Sequence, residues 1–507
     1  MKKNDLLILS TTLLYSILFY KQSLGVNYLL FSICLSMLSA FAFRERKKTM
    51  NWKLALAGTL ISGCAVFYLG SGLAVLANIL SIALLSAYTF EPRTSVITAW
   101  FFSAYSVLSS VVYLFISMFR SREEEGQAII RKRAPIGFWP LFLPVLAVLF
   151  FFLLYQQGSV IFYDFTKKIS LDFISIPWVL FSLGGFLLMY GFFRYRTIPA
   201  LLESEIRIGN GVYMNSTAPA FFRNVFSLSQ EYLSGVIMLA LLNGLTLLIN
   251  FLDARFLFIN GALPTGISYS QFVHQGIGAL IVSILFAILL ILFYFRAELN
   301  FSKGRNILAW LTYGWIFQNI FMLYTCFVKN SIYIHEYSLT YKRIGVIVWL
   351  LLALFGLLTT AVKVWRYRSN YFLFRVNAWL CYGTLVLASL INWDRSVAIY
   401  NIHYSRTVDY VYLLSLSYNA LPPIVEECAK GNPFGNKWAS SPLGEAMERN
   451  IYINILGTKL NSFLQRQEKK DWQSYCISEN MTKQKLLEDL KRVPGHLFPE
   501  QTMNEPL

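Results

Sequence analysis

The chain has 507 residues, of which 56% are hydrophobic, 17% aromatic and only 14% charged, and its formal net charge is +17. Soluble domains carry about 25% charged residues, so this composition excludes an ordinary soluble protein. The basic excess does not point to a nucleic-acid partner either: residues 392–507 hold 13 basic and 13 acidic residues, so the whole +17 belongs to residues 1–391, where loop lysines and arginines on a cytoplasmic face would put it.

The start, Met1-Lys2-Lys3 followed by an apolar stretch from Leu6 to Tyr20, looks like a signal peptide. It has no small-residue cleavage site before Lys21, and more apolar segments follow, so it reads as an uncleaved first span. Hydropathy gives candidate spans at 5–20, 24–43, 54–70, 72–90, 95–118, 135–155, 175–193, 232–252, 272–295, 307–327, 343–362 and 372–391. Runs such as "GVIMLALLNGLTLLINFL" (235–252) and "IGVIVWLLLALFGLLTTAV" (344–362) carry no charge, and about 20 apolar residues suffice to cross the hydrocarbon core as a helix. The alternating ten-residue segments of a membrane β-barrel are absent. The expected fold is all-α: a polytopic helical membrane protein with 11–12 transmembrane helices (1–391) and a small, mostly helical, soluble C-terminal domain (392–507).

Loop charge gives an orientation. Loops 119–134, 194–229, 296–306 and 363–371 hold 15 Lys and Arg against five in the loops between them, so the first set is expected in the cytoplasm. The N-terminus and the run "RERKK" (44–48) are expected there too. Three candidate spans lie between 53 and 118, an odd number between two flanks that both want the same side. One of the Gly/Ser/Ala-rich segments 54–70 and 72–90 is therefore expected to be re-entrant, or the two to share one crossing. Eleven crossings satisfy every charge and twelve satisfy hydropathy. The C-terminal domain is expected outside, and the chain in a bacterial cytoplasmic (inner) membrane.

In the tail, Ile451, Ile455, Leu456, Leu460 and Leu464 recur at helical spacing, which predicts an amphipathic helix over 451–467. Residues 432–444 are turn-rich, and a second helix is expected over 481–492. Cys428 and Cys476 could pair in an oxidising compartment. No nucleotide-binding, HExxH or GxSxG signature and no Cys/His cluster appears, so no cofactor or metal is expected, and an enzyme is the less favoured reading.

The polar residues at span ends and within spans are the candidate site. They are His274, Gln318, Asn319, Glu336, Arg343, Asn392, Asp394 and Asn401. Gln318 and Asn319 fall inside a span, where interhelix hydrogen bonding is the default role of an amide. Asp394 beside Arg395 is read first as capping and balancing a following helix. His274, Glu336, Arg343, Asn392, Asp394 and Asn401 all fall near the extracytoplasmic face, and ionisable groups at that depth often mark function.

The strings "VHQGIGALI" (273–281), "WIFQNIFML" (315–323), "EYSLTYKRIGV" (336–346), "NWDRSVAIYNI" (392–402) and "DYVYLLSLSYNALP" (409–422) resemble those of bacterial polytopic membrane proteins grouped as domain-of-unknown-function families four-one-seven-three and four-one-five-three. The resemblance covers about 268–415, with "DWQSYCIS" (471–478) a weaker echo; the first 230 residues match only as generic spans. It implies a bundle of spans with a compact C-terminal segment, and no activity. Three functions stay open. One is transport or permeation of a small solute. Another is a membrane sensor or assembly protein that binds a protein partner through its tail. The third is a membrane-embedded enzyme acting on lipid-linked substrates. The lipid bilayer is the one expected partner common to all three.

Overall fold

The structure, a computed structural model, describes residues 3–46, 48–120, 147–148, 151–152, 154–166, 175–211, 228–260, 282–284, 286–295, 298–301, 304–430 and 445–492. The helices, in order, are α1 (Lys3–Phe19), α2 (Val26–Phe41), α3 (Met50–Leu69), α4 (Gly72–Phe90), α5 (Val96–Arg120), α6 (Val160–Thr166), α7 (Ile176–Phe193), α8 (Pro199–Arg207) and α9 (Leu228–Arg255). The series continues with α10 (Val282–Tyr294), α11 (Arg305–Tyr337), α12 (Tyr341–Trp365), α13 (Asn370–Ala388), α14 (Trp393–Tyr404), α15 (Tyr410–Ser415), α16 (Leu421–Ala429), α17 (Glu445–Glu468) and α18 (Ile477–Leu490). No strand occurs among the described residues; one isolated bridge joins Gly211 and Arg368. Eight of the described helices are long and apolar enough to cross a membrane, and α1, α2 and α10 are shorter apolar helices. The protein is an all-α, multi-pass membrane protein. Most of the expected span 135–155 lies outside the described residues, as do His274 and the turn-rich stretch 432–444.

The chain divides into two compact units: Met1–Ile206 with Leu385–Leu390 and Lys469–Ser478, and Arg207–Thr384 with Ile391–Glu468 and Glu479–Leu507. In the first unit α3 and α4 are antiparallel neighbours of 20 and 19 residues, joined at Gly70 and Ser71. At 1.5 Å per residue each is about 30 Å long, the thickness of the hydrocarbon core. Each of α3 and α4 is thus long and apolar enough to cross by itself. The small residues there serve close packing. Asn78 on α4 donates to Ser32 on α2 at 2.8 Å and to Ser62 on α3 at 3.1 Å, and a Cβ on Gly63 would stand 3.0 Å from Ser32. Small faces of this kind let membrane helices approach and exchange hydrogen bonds.

The two ends of this unit are closed by different contacts. At one end Arg46 donates to the Phe90 carbonyl, Asn51 to the Pro92 carbonyl, and Arg194 pairs with Asp5 at 2.5 Å. At the other end Tyr20 and Ser175 share a hydrogen bond, and segment 469–478 closes over the α1–α2 turn. There Val26 N–H donates to the Tyr475 carbonyl and Gln22 Nε2 to Asp471. Gly25 sits so close that a Cβ would lie 2.5 Å from the Ser474 backbone. Helix α5 leaves from the Arg46 end, and most of 121–174 lies outside the described residues.

In the second unit α9, α10, α11 and α12 share one core, with Leu239, Ile291, Trp315 and Leu357 among its buried members. The C-terminal segment forms another, in which Val397, Leu413, Val425, Leu456 and Phe463 are fully buried. The phase of α17 differs from the expected one. Tyr452, Leu456, Leu460 and Phe463 face inward, while Ile451 and Ile455 are 45% and 46% exposed. Burying two large aromatic side chains outweighs burying two isoleucines. The last helix starts earlier than expected, at Ile477. Cys428 and Cys476 are both buried thiols; Cys476 Sγ donates to the Tyr68 carbonyl at 3.5 Å, and burial pushes the Cys428 thiol up to about 12, which leaves it unreactive.

Candidate functional site

A charged or amide side chain inside a span must find a partner, because lipid offers none. Helix α9 has two contrasting faces. Leu241, Leu245, Leu248 and Leu252 are 54–70% exposed, as a lipid-facing stripe must be. Asn243, Thr246, Asn250 and Asp253, spaced by three, four and three residues, share the opposite face and meet α11. The two helices run parallel. Asn243 Nδ2 donates to the Leu311 carbonyl at 3.0 Å, and the Trp315 indole donates to Thr246 at 3.1 Å. Gln318 Nε2 donates to Asn243 Oδ1 at 2.9 Å, and Asn250 Nδ2 to the Gln318 carbonyl at 2.9 Å. The seam ends in an ion pair. Lys329 Nζ lies 2.8 and 2.7 Å from the two oxygens of Asp253, and Thr325 donates to the same carboxylate at 3.2 Å. Lys329 is only 8% exposed.

Two atoms in this seam are left over. Among the described residues, the side-chain oxygens of Asn250 and Gln318 are buried with no hydrogen-bond partner. Both are acceptors, so what would satisfy them is a donor or a cation. Asn319 faces elsewhere and donates to the Trp315 carbonyl of its own helix at 2.7 Å.

Most of this seam is not apparent from the sequence. Hydropathy predicts a loop over 328–342 that includes Lys329, whereas α11 runs to Tyr337. The helix continues because Lys329 has Asp253 as its partner, and Asn330 is likewise used, donating to the Arg343 carbonyl. The 3-4-3 spacing of Asn243, Thr246, Asn250 and Asp253 was the available signal, within a run noticed only for lacking charge.

The other candidates gather around the α11–α12 turn and α14. Glu336 pairs with Arg406 at 3.1 Å. Arg343 stacks on Tyr333 and donates to the carbonyls of Tyr337 and Ser338. Asn401, fully buried, clamps the backbone of one residue at both its polar groups: its Oδ1 accepts from Leu339 N–H at 2.6 Å and its Nδ2 donates to Leu339 C=O at 2.9 Å. Asn392, rather than Asp394, is the N-cap of α14, accepting from Arg395 N–H at 3.2 Å. An asparagine oxygen reaches the N3 amide from that position, whereas Asp394 already lies in the first turn. Its carboxylate instead accepts from Tyr341 at 2.7 Å and Ser417 at 2.6 Å. Lys459 stands near Asp394 and donates to the carbonyls of Leu414 and Leu416. Burial lowers the affinity of its amine for a proton, partly offset by Asp394. The carboxylates of Asp394 and Glu336 are thus each occupied by their own partners. This is the arrangement of a tied turn more than of an acid/base pair. Among the described residues no group of three His, Cys, Asp or Glu could hold a metal ion.

The family model described as Domain of unknown function (DUF4153) matches residues 7–427, so the chain belongs to that family. The match takes in the N-terminal spans as well as the stretch 268–415 that carried the resemblance. No curated protein and no solved structure matches the chain.

Proposed function

We propose that the protein passes a small polar solute through the membrane, with the α9–α11 seam as the polar wall of the path. The observation that carries this reading is the pair of buried acceptor oxygens, Asn250 Oδ1 and Gln318 Oε1, that have no hydrogen-bond partner among the described residues, in the same seam as the largely buried Asp253–Lys329 pair. Polar groups held inside a span without full satisfaction are costly and accompany solute and ion pathways. Because both leftover atoms accept, the solute is cationic or rich in donors. The test is reconstitution into liposomes with imposed proton, potassium or methylammonium gradients. The purified protein should dissipate at least one faster than protein-free liposomes, and Asn250→Leu should slow that flux by about tenfold, equivalent to about 1.4 kcal/mol on the barrier. Equal leak with and without protein would sink the reading.

We further propose that residues 392–507 form a water-exposed C-terminal domain on the extracytoplasmic side, with the N-terminus in the cytoplasm. In each unit, taken alone, the C-terminal segment lies at the end away from the basic turns. In the first, 469–478 meets the α1–α2 turn, opposite Arg46 and Arg194. In the second, α14 joins the α11–α12 turn, whereas Arg305 and Ser369 mark the other end through Val364 and Gly209. A cysteine at Lys469 should react with an impermeant maleimide on intact cells, and one at Arg44 only after permeabilisation; the reverse pattern refutes this orientation.

The sensor or assembly reading draws on Ile451 and Ile455, exposed on α17, as a surface for a protein partner. The enzyme reading gains nothing from Asp394 and Glu336, whose carboxylates are already engaged.

A further inference from the structure

Outside the seam, α14 and α16 present facing stripes at i, i+4, i+8 spacing: Arg395, Ile399 and His403 on one helix, Pro422 and Glu426 on the other, with Lys430 at its C-cap. They line a cleft of about 120 Å³. That is well below the roughly 300–1,000 Å³ of a drug-sized pocket, so it suits a group of a few heavy atoms.

Its charges are unevenly matched. Lys485 reaches Glu426 at 2.8 Å, and Lys430 reaches Glu427 at 3.1 Å, so two lysines and two glutamates balance one another. Arg395 is exposed, and among the described residues its guanidinium has no carboxylate partner. One permanent positive charge therefore remains over. The guanidinium fork fits tetrahedral oxyanions bidentately, while Ile399 and Pro422 offer an apolar wall to whatever carries the anion. Arg395 also lies only a few residues beyond Ala388, where the last apolar helix ends.

We propose that this cleft binds a phosphate group, with Arg395 as its principal ligand and His403 and Lys430 as flanking donors. The phosphate could be that of a lipid headgroup at the membrane surface or of a soluble phosphate ester, and the two sources are separable. The full-length protein is assembled into phosphatidylcholine nanodiscs with and without phosphatidylglycerol. Retained lipid is read by native mass spectrometry, and glycerol 3-phosphate is titrated by thermal shift in the discs without phosphatidylglycerol. A lipid ligand appears as phosphatidylglycerol retained by the wild type and released by Arg395→Gln. A soluble ligand appears as a saturable shift that Arg395→Gln weakens by about tenfold, the factor expected for losing one charge-assisted contact. Because Arg395 is exposed, its replacement leaves the fold in place, which the unliganded melting temperature checks. Binding that is the same in wild type and Arg395→Gln, or no binding of either probe, overturns the proposal. The cleft is remote in sequence from Asn250 and Asp253, so a failed phosphate titration and a failed flux assay are distinguishable results.

Discussion

Lys329→Met is expected to destabilise the protein by about 3–5 kcal/mol, the usual result of removing one member of a buried ion pair. The ammonium is 8% exposed and bonds both oxygens of Asp253. Without it, the carboxylate keeps, among the described residues, the Thr325 hydroxyl alone and must be buried charged or take up a proton. The reciprocal change, Asp253→Asn, should cost a similar amount by leaving the ammonium without its anion. The double variant Asp253→Asn/Lys329→Met should recover most of the loss, because no net charge is then buried. Thermal unfolding in detergent, followed by size-exclusion chromatography of the full chain, measures all three. If the double variant is as unstable as the sum of the singles, the pair is not coupled and the assignment fails. The same three proteins inform the transport proposal. A double variant that folds and still conducts would make the pair structural, while one that folds and no longer conducts would assign the charges to the path.

The α9–α11 seam also marks the limit of what the sequence alone discloses. That residues 232–252 and 307–327 form membrane helices follows from their length and lack of charge. That Gln318 needs a partner follows from the cost of a buried amide. Which partner it finds does not follow, because Asn243 and Asn250 are 75 and 68 residues away and the pairing depends on how two parallel helices align across an intervening crossing. Likewise, Lys329 looks like the start of a loop until Asp253 is known to stand beside it. The α17 error has a related origin. Counting only aliphatic positions selects Ile451 and Ile455, and only the packed core reveals that Tyr452 and Phe463 set the phase. In the Gly- and Ser-rich segments, small residues weaken the apolar signal of a span and at the same time let it pack closely. Composition alone cannot separate a weak span from a tightly packed one.

Asn401→Leu is the second change expected to have a large effect, and the reason lies in the turn it holds. Ser338 adopts φ 73°, ψ 162°, a region used almost only by glycine, which costs roughly 1–3 kcal/mol. The turn is kept there by bonds from several elements. Ser338 Oγ donates to the Thr407 carbonyl at 2.5 Å, Thr407 Oγ1 donates to the Glu336 carbonyl at 2.9 Å, and Arg343 donates to two carbonyls of the turn. Asn401 adds the two bonds to Leu339 from a fully buried position. Leucine has nearly the same volume but can neither donate nor accept, so the Leu339 N–H and C=O each lose a partner, at about 1–3 kcal/mol for each group left unsatisfied. Asn401→Asp is the informative companion, because it keeps the acceptor for Leu339 N–H, loses the donor to Leu339 C=O and buries a charge. It should therefore become less unstable as the pH is lowered and the carboxyl regains a proton to donate, whereas Asn401→Leu should not respond to pH. Melting temperatures of both variants across pH 4–8, roughly the range over which a buried carboxyl titrates, separate the two mechanisms. A leucine variant as stable as the wild type would mean that the remaining bonds hold Ser338 without the clamp. The turn would then owe its geometry to Arg343 and Thr407, and Thr407 would be the position through which the C-terminal segment is fastened to Ser338 and Glu336.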